Sequence, residues 1–290
     1  MSDELRMDLA DCASPEAIIA AILKHHPGLT LPVPIEDLAR AVGIEEITEM
    51  ESDRFQGALL TNPEKSRGAI VVHKNARGGR RRFTIGHELG HFLIPYHRGN
   101  KECTPADMRV ARSNDPARKI EAEANRFAAG ILMPKPYFRK DMRRLGDADV
   151  AHALELKRLY GTSLEATVNR YAELTDDRCA FVLSQNGLVR YVRPTRDFPR
   201  LAVKSKTPLP PGSVSAGAPA SPLRRPSPWS EIDRSVWLDL PDGARVPRLL
   251  EQSMRQAEGY QITLLFLDAA ADEEDEDAAE MEDRWNPRFR

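Results

Sequence analysis

Apolar residues recur at helical spacing through most of the chain up to Leu174, interrupted by two short apolar runs. The helical stretches begin at residues that cap helices and end at glycine or proline, whereas turn-forming residues bound the two short runs, as they bound strands. The predicted helices are 14–24, 34–42, 84–94, 117–132, 148–160 and 163–174, and the predicted strands are 57–60 and 69–72. This order predicts an α+β fold, in which a short antiparallel or mixed sheet accompanies the helices.

From Cys179 onward the pattern changes to that of strands. The run CAFVLSQNGLVRYVR predicts a hairpin whose turn is Asn186-Gly187, because Asn-Gly is the strongest short hairpin signal. The other elements predicted in this part are strands at 236–240 and 261–267, a helix at 247–257 and a proline-rich loop at 207–228. A second, smaller α+β unit therefore follows the helical part of the chain.

These patterns divide the chain into four parts. They are a domain at 14–146, a helix-turn-helix-like helical pair at 147–176, the α+β unit at 177–268 and a tail at 269–290. The tail contains DEEDEDAAEMED, with nine acidic residues and no basic one. Such a run predicts a solvated, disordered segment. The whole chain has a net charge of -2, whereas the remainder without this run is mildly basic.

The composition predicts a soluble protein of the cytoplasm. The first residues lack the basic-then-apolar order of a signal peptide, and no apolar run approaches the roughly 18 residues that cross a bilayer. Three cysteines, Cys12, Cys103 and Cys179, are widely spaced and form no CxxC pair. This spacing argues against a disulfide framework and against a thiolate metal site.

The stretch FTIGHELGHFLIP carries the clearest candidate chemistry. Positions i and i+4 share one face of a helix, so His87 and His91 can bind one metal ion. Glu88, beside the first histidine, is then placed to deprotonate an attacking water. Gly90 supports this interpretation, because a glycine inside a helix costs about 1 kcal/mol relative to alanine and indicates close backbone packing.

A catalytic zinc needs a third protein ligand and one open position. The candidates are His73, His97, Glu121, Glu123 and the acidic residues of the tail. The run IEAEANRFAAGILMP favours Glu121, with Asn125 one turn later on the same face to orient a ligand or a histidine ring. Glu123 remains a rival, although two positions along a helix rotate it by about 200°, so that only one of the two glutamates can face the metal.

The runs RRFTIGHELGHFL and EAEANRFAAGILMP together resemble the ImmA/IrrE family of metallo-endopeptidases, which are small gluzincin-like zinc peptidases. The resemblance covers roughly residues 17–174 and implies a zincin-like peptidase domain at 14–146. It implies that His87, His91 and Glu121 bind one zinc ion per chain and that Glu88 is the general base. It also implies a protein substrate, namely a helix-turn-helix transcriptional repressor that is cleaved in a stress response or during induction of a mobile element.

Two further features of the site remain open in the sequence. No motif names a donor for the oxyanion, and Tyr96, His97 and Tyr171 are the candidates. If strand 57–60 lies at the sheet edge, an extended substrate could add to it, whereas an internal position is equally compatible with the pattern. The basic run at 80–82 is more typical of a solvated turn than of a binding surface.

Two other functions compete with the peptidase. One is a non-proteolytic regulator, or a toxin–antitoxin-like component, that binds a repressor or DNA through the helices at 148–174. Acidic residues outnumber basic ones in that pair, which disfavours DNA binding. The other is a structural zinc site, which usually has four protein ligands, and no fourth is evident in the sequence. A membrane partner is not predicted.

Overall fold

The computed structural model describes residues 3–109, 115–217, 223–241 and 246–268. The chain divides into two compact units, one made of residues 1–144 and 155–167 and the other of residues 145–154 and 168–290. The predicted tail at 269–290 and residues 218–222 of the predicted loop lie outside the described residues. The four-part division of the sequence stays a prediction.

The first unit contains the elements that the candidate site uses. Its helices and strands are α1 (Asp3–Ala10), α2 (Pro15–His25), α3 (Ile35–Ala41), β1 (Ile44–Met50), β2 (Gly57–Thr61), β3 (Gly68–His73), α4 (Gly78–Leu93), β4 (Lys101–Cys103), α5 (Pro116–Leu132) and α6 (Lys135–Leu145). The helices α7 (Val150–Tyr160) and α8 (Leu164–Leu174) each have residues in both units. The predicted α+β class is confirmed, whereas α1, β1, β4 and α6 were not predicted.

The sheet of the first unit is mixed, with the strand order β1-β3-β2-β4. β1 runs parallel to β3, and β2 is antiparallel to both of its neighbours. Of the edge and internal positions that the sequence left open for β2, the internal one is observed, because β4 pairs with it from Gly57 to Leu59. The helices α4 and α5 pack on each other, and fully buried residues such as Ile85, Leu89 and Phe127 join them to the sheet core.

The helix α4 begins six residues before the predicted N-cap Thr84, which is 2% exposed inside the helix. The basic run at 80–82, which precedes Thr84, therefore lies inside the helix. Two of its side chains have partners in the first unit. Arg81 forms ion pairs with Glu36 and Glu49, and Arg82 donates to a backbone carbonyl of the α2–α3 connection, Val33 O, at 2.6 Å. The interpretation of this run as a solvated turn is therefore wrong.

The second unit is built on an antiparallel sheet with the strand order β6-β5-β9-β8-β7. Its elements are β5 (Cys179–Gln185), β6 (Leu188–Pro194), β7 (Ser230–Glu231), α9 (Arg234–Trp237), β8 (Arg248–Arg255) and β9 (Tyr260–Asp268). The predicted hairpin is confirmed, and its two turn residues adopt the positive φ angles of such a turn, 50° at Asn186 and 75° at Gly187.

Two predictions for the second unit are wrong. Residues 236–240 are not a strand, because the short helix α9 ends at Trp237. The predicted helix 247–257 is instead β8, which pairs with β9 along its whole length. Its sequence RLLEQSMR consists mostly of good helix formers, so strand pairing and burial override the local preference.

A side chain of β8 forms hydrogen bonds with the backbone of the proline-rich stretch. Buried Glu251 accepts hydrogen bonds from Val214 N at 3.0 Å, Ser215 N at 2.8 Å and Trp237 Nε1 at 2.8 Å. The described residues on either side of 218–222 form turns and isolated bridges in place of a regular strand or helix. Across the described ranges, no helix combines the length and the apolar character needed to cross a membrane.

Candidate metal centre

Three donor atoms from α4 and α5 meet inside the first unit. The Nε2 atoms of His87 and His91 lie 3.1 Å apart, and Glu121 Oε2 lies 3.2 Å from the first and 3.3 Å from the second. Both histidines are fully buried, whereas the Glu121 side chain is 16% exposed. The structure thus brings together the three residues that were predicted to bind the metal.

Small residues allow the two helices to approach this closely. A Cβ atom added to Gly90 would lie 3.2 Å from Ala124 Cα, and one added to Gly86 would lie 3.3 Å from Ala128 Cα. These distances are shorter than ordinary contacts, so neither position accepts a larger residue without a shift. The close packing expected at Gly90 is observed, and it places Glu121 beside the two histidines.

The His87 ring is oriented by Asn125. Asn125 Nδ2 donates to Asp107 O at 2.8 Å, which turns the amide oxygen toward His87 Nδ1, also at 2.8 Å. A carbonyl oxygen can only accept, so His87 Nδ1 carries the hydrogen of this contact. In the neutral ring, Nε2 therefore presents a lone pair to the point where the three donor atoms meet.

The His91 ring is oriented by a two-residue chain. His97 Nε2 lies 3.1 Å from Glu123 Oε2, which accepts its hydrogen, and His97 Nδ1 lies 3.1 Å from His91 Nδ1. Burial lowers the pKa of His97 although Glu123 opposes this, so the neutral ring accepts a hydrogen from His91. Burial also lowers the pKa of His91 to about 4. His91 Nε2 consequently presents a lone pair as well.

The convergence of two imidazole lone pairs and a carboxylate oxygen suits a divalent cation. Nitrogen and oxygen donors in this number are those that zinc accepts in catalytic sites. Burial opposes ionisation of Glu121, but hydrogen bonds with His87 and His91 hold its pKa well below the usual range. Burial disfavours protonation of His87, but several effects, of which the hydrogen bond with Glu121 is the largest, together raise its pKa. A proton therefore competes with a metal ion for His87.

Glu88 is fully buried, and within the described residues its Oε1 atom has no hydrogen-bond partner. A Cβ atom on Gly57 would lie 2.5 Å from this oxygen, so the absence of a side chain on β2 leaves room for the carboxyl group. Burial raises the pKa of Glu88 to about 7, against the opposing charge of His87. A carboxyl group with a pKa in this range is well matched to proton transfer near neutral pH.

A cysteine that was not predicted completes the group. Cys103 is directly opposite Gly57 in the β2–β4 pair, and its Sγ atom lies 3.6 Å from His91 Nε2 and 3.7 Å from Glu88 Oε2. One donor atom each from His87, His91, Cys103 and Glu121 all lie within 4.8 Å of one another. Burial and the nearby carboxylates raise the pKa of the thiol. No motif indicated this residue, because only strand pairing brings it to α4.

The remaining candidates lie elsewhere. Glu123 contacts His97 and is not in the group of donor atoms that could hold a metal ion, so of the two glutamates it is Glu121 that meets His87 and His91. His73, at the end of β3, is likewise outside the group.

The candidate oxyanion donors occupy three different settings. Both ring nitrogens of His97 are engaged, so it has no free donor for an oxyanion. Tyr96 is 46% exposed beside His97, and burial together with a hydrogen bond to Glu123 raises its pKa to about 12. Tyr171 belongs to the second unit and packs edge-on against Phe181.

Lys65 is a second residue that sequence patterns did not indicate. Its Nζ atom donates to His91 O at 2.7 Å, Ile94 O at 2.7 Å and His97 O at 3.1 Å. These carbonyls lie at the C-terminal end of α4, where the helix dipole favours a cation. Burial lowers the pKa of Lys65 to about 8. Lys65 thus fixes the end of the helix that carries both histidines.

Comparison with known proteins agrees with this site. The family model of the IrrE N-terminal-like domain, that of peptidase M78, matches residues 39–171. No curated protein is significantly similar to the chain. The matched range includes the sheet, α4 and α5, and therefore every donor atom of the candidate centre. Residues 39–171 therefore carry a domain of the IrrE N-terminal-like type, the domain of the peptidase M78 family.

Proposed function

We propose that the chain is a zinc-dependent endopeptidase whose substrate is a helix-turn-helix transcriptional repressor. One observation carries the catalytic part of the proposal. Three donor atoms converge within 3.3 Å, and beside them lies Glu88, a buried carboxyl group whose Oε1 has no hydrogen-bond partner among the residues that the structure describes. Four residues with these properties are what peptide hydrolysis by a zincin requires.

In this mechanism, His87, His91 and Glu121 hold the metal and Glu88 transfers protons. A bound divalent metal supplies a Lewis acid that acidifies water and polarises a peptide carbonyl. Glu88 Oε1 accepts the proton of the attacking water and then returns it to the leaving amine. Asn125 and His97 keep the histidine rings fixed, so their Nε2 atoms need no reorientation during the reaction.

The substrate class rests on the likeness to the ImmA/IrrE family. A repressor bound to DNA in the cytoplasm would be the target, and its cleavage would relieve repression in a stress response or during induction of a mobile element. A protein substrate agrees with the peptidase family of the matched domain. The best test substrate is a helix-turn-helix repressor encoded by a neighbouring reading frame.

The test compares the wild type with Glu88→Gln, measuring zinc content and cleavage of that repressor. We expect both proteins to hold one zinc ion and only the wild type to cleave, because the amide cannot accept a proton while the donor atoms are unchanged. Glu45→Gln, an exposed position on β1, is the matched control and should behave as wild type.

The other outcomes separate the alternatives. If both proteins hold zinc and neither cleaves the repressor, while both bind it, the non-proteolytic regulator is the better description. If neither holds metal, the donor atoms do not form a metal site and the proposal fails.

A further inference from the structure

We infer that Cys103 is the fourth ligand of the metal in this site and that it restrains the peptidase until its sulfur moves away. The restraint rests on the proposed function, whereas the ligation does not. A thiol at this place was not expected from the sequence, because the cysteine spacing argued against a thiolate metal site.

The spacing of the donor atoms carries the inference. Tetrahedral zinc, with Zn–N near 2.0–2.1 Å and Zn–S near 2.3 Å, separates a nitrogen from a sulfur ligand by about 3.6 Å and two nitrogens by about 3.3 Å. The observed distance from His91 Nε2 to Cys103 Sγ is 3.6 Å. The distances among His87, His91 and Glu121 are 3.1, 3.2 and 3.3 Å. The sulfur is thus at the distance from His91 Nε2 that two ligands of one tetrahedral ion have, and it lies within 4.8 Å of the donor atoms of His87 and Glu121.

The thiol is held at this position by the backbone. Cys103 ends β4 and is 1% exposed, while its neighbours Lys101 and Glu102 are partly or fully exposed. Its sulfur contacts His91 and Glu88, both part of the candidate centre. Gly57, opposite it on β2, has no side chain, so the Glu88 carboxyl group fits between the strand and α4 beside the sulfur. Packing alone would be served equally well by an apolar residue.

Ligation would restrain hydrolysis by filling the position that water needs. When sulfur binds the metal, the S–H bond breaks, its electron pair forms the bond to the metal, and the proton passes to Glu88 Oε2, 3.7 Å away. The coordination position that catalytic zinc leaves open is then filled. The restraint ends when the sulfur leaves the metal and takes the proton back from Glu88.

Cobalt substitution of the full-length protein tests the ligation without any activity measurement. Thiolate bound to Co²⁺ gives a sulfur-to-metal charge-transfer absorption in the near ultraviolet. We expect this band in the wild type and in Cys12→Ser, the matched control, and its loss in Cys103→Ser. Zinc affinity, measured by competition with a chelator, should fall at least about tenfold in Cys103→Ser. A wild-type cobalt protein without the band would overturn the inference even if the variant fails to fold.

Cleavage assays then separate this inference from the proposed function. We expect Cys103→Ser to cleave faster than the wild type and Glu88→Gln to remain inactive in the Cys103→Ser background. Equal rates for the wild type and Cys103→Ser would contradict the restraint. The charge-transfer band together with no cleavage by any variant would support the ligation and contradict the proposed substrate. Cleavage by a wild type that lacks the band would support the peptidase and contradict the role of Cys103.

Discussion

Two side chains, His97 and Glu123, set the orientation of the His91 ring, whereas Asn125 alone sets that of the His87 ring. Glu123 accepts from His97, and His97 in turn accepts from His91, so a carboxylate that lies outside the group of donor atoms decides which nitrogen of His91 carries the hydrogen. Groups that orient a metal-binding histidine in this way commonly change metal affinity by 10–100-fold, roughly, when they are removed.

We therefore expect Glu123→Ala to weaken zinc binding by about 10–100-fold, because His97 would lose the partner that fixes its tautomer. Glu123→Gln should restore part of the affinity, since an amide oxygen can still accept from His97 Nε2. The measurement is zinc affinity by chelator competition, with Glu45→Ala as the exposed control. Unchanged affinity in Glu123→Ala would show that the chain of contacts does not position His91.

At the scale of elements, the site depends on how closely α4 and α5 approach. The donor atoms of His87 and His91 belong to one helix and that of Glu121 to the other, so a change in the helix separation alters two of the three distances. Of the two α4 glycines that face α5, Gly90 has less room than Gly86, because a Cβ atom would lie 3.1 Å from Phe127 Cδ1 and 3.2 Å from Ala124 Cα.

Replacing Gly90 by valine should lower the free energy of unfolding by about 1–3 kcal/mol and weaken zinc binding, because the added methyl groups push α5 and Glu121 away. Chemical denaturation and zinc titration measure the two effects. Gly28→Val is the control, since a Cβ atom there meets nothing within 4 Å. If Gly90→Val loses stability and keeps full zinc affinity, the helix separation does not set the metal site.

At the scale of the whole molecule, each compact unit has its own hydrophobic core. The core of the first unit joins its helices to the β1-β3-β2-β4 sheet, and that of the second surrounds Trp237. Glu251 is the polar residue on which the second core depends, because three donors from separate segments bond to its two oxygens. Buried donors without acceptors cost about 1–3 kcal/mol each.

Glu251→Ala should accordingly destabilise the second unit by at least about 3 kcal/mol, leaving Trp237 Nε1 and two backbone N–H groups without acceptors. Denaturation followed by tryptophan fluorescence reports on the second unit, to which all three tryptophans of the chain belong. Glu231→Ala removes an exposed ion pair with Arg248 and should change stability by less than about 1 kcal/mol. Similar stabilities for the two variants would contradict the structural role assigned to Glu251.

Elements with a strong local pattern were predictable, and those that depend on distant partners were not. The hairpin at Asn186-Gly187 has its turn geometry encoded in two residues. In contrast, β8 has helix-forming residues and becomes a strand only because β9 lies beside it. The start of α4 was placed too late because the contacts of Arg81 with Glu36 and Glu49 are not visible in a local window.

The sequence by itself determined the α+β class, the two helices that carry the candidate ligands, and the pairing of His87 with His91, because helical periodicity is a local property. Tertiary structure decided between Glu121 and Glu123, since that choice depends on which face of α5 meets α4. It also decided the place of Cys103, the space at Gly57 and the orientation of His91. Each of these depends on contacts between segments far apart in the chain, which no local pattern records.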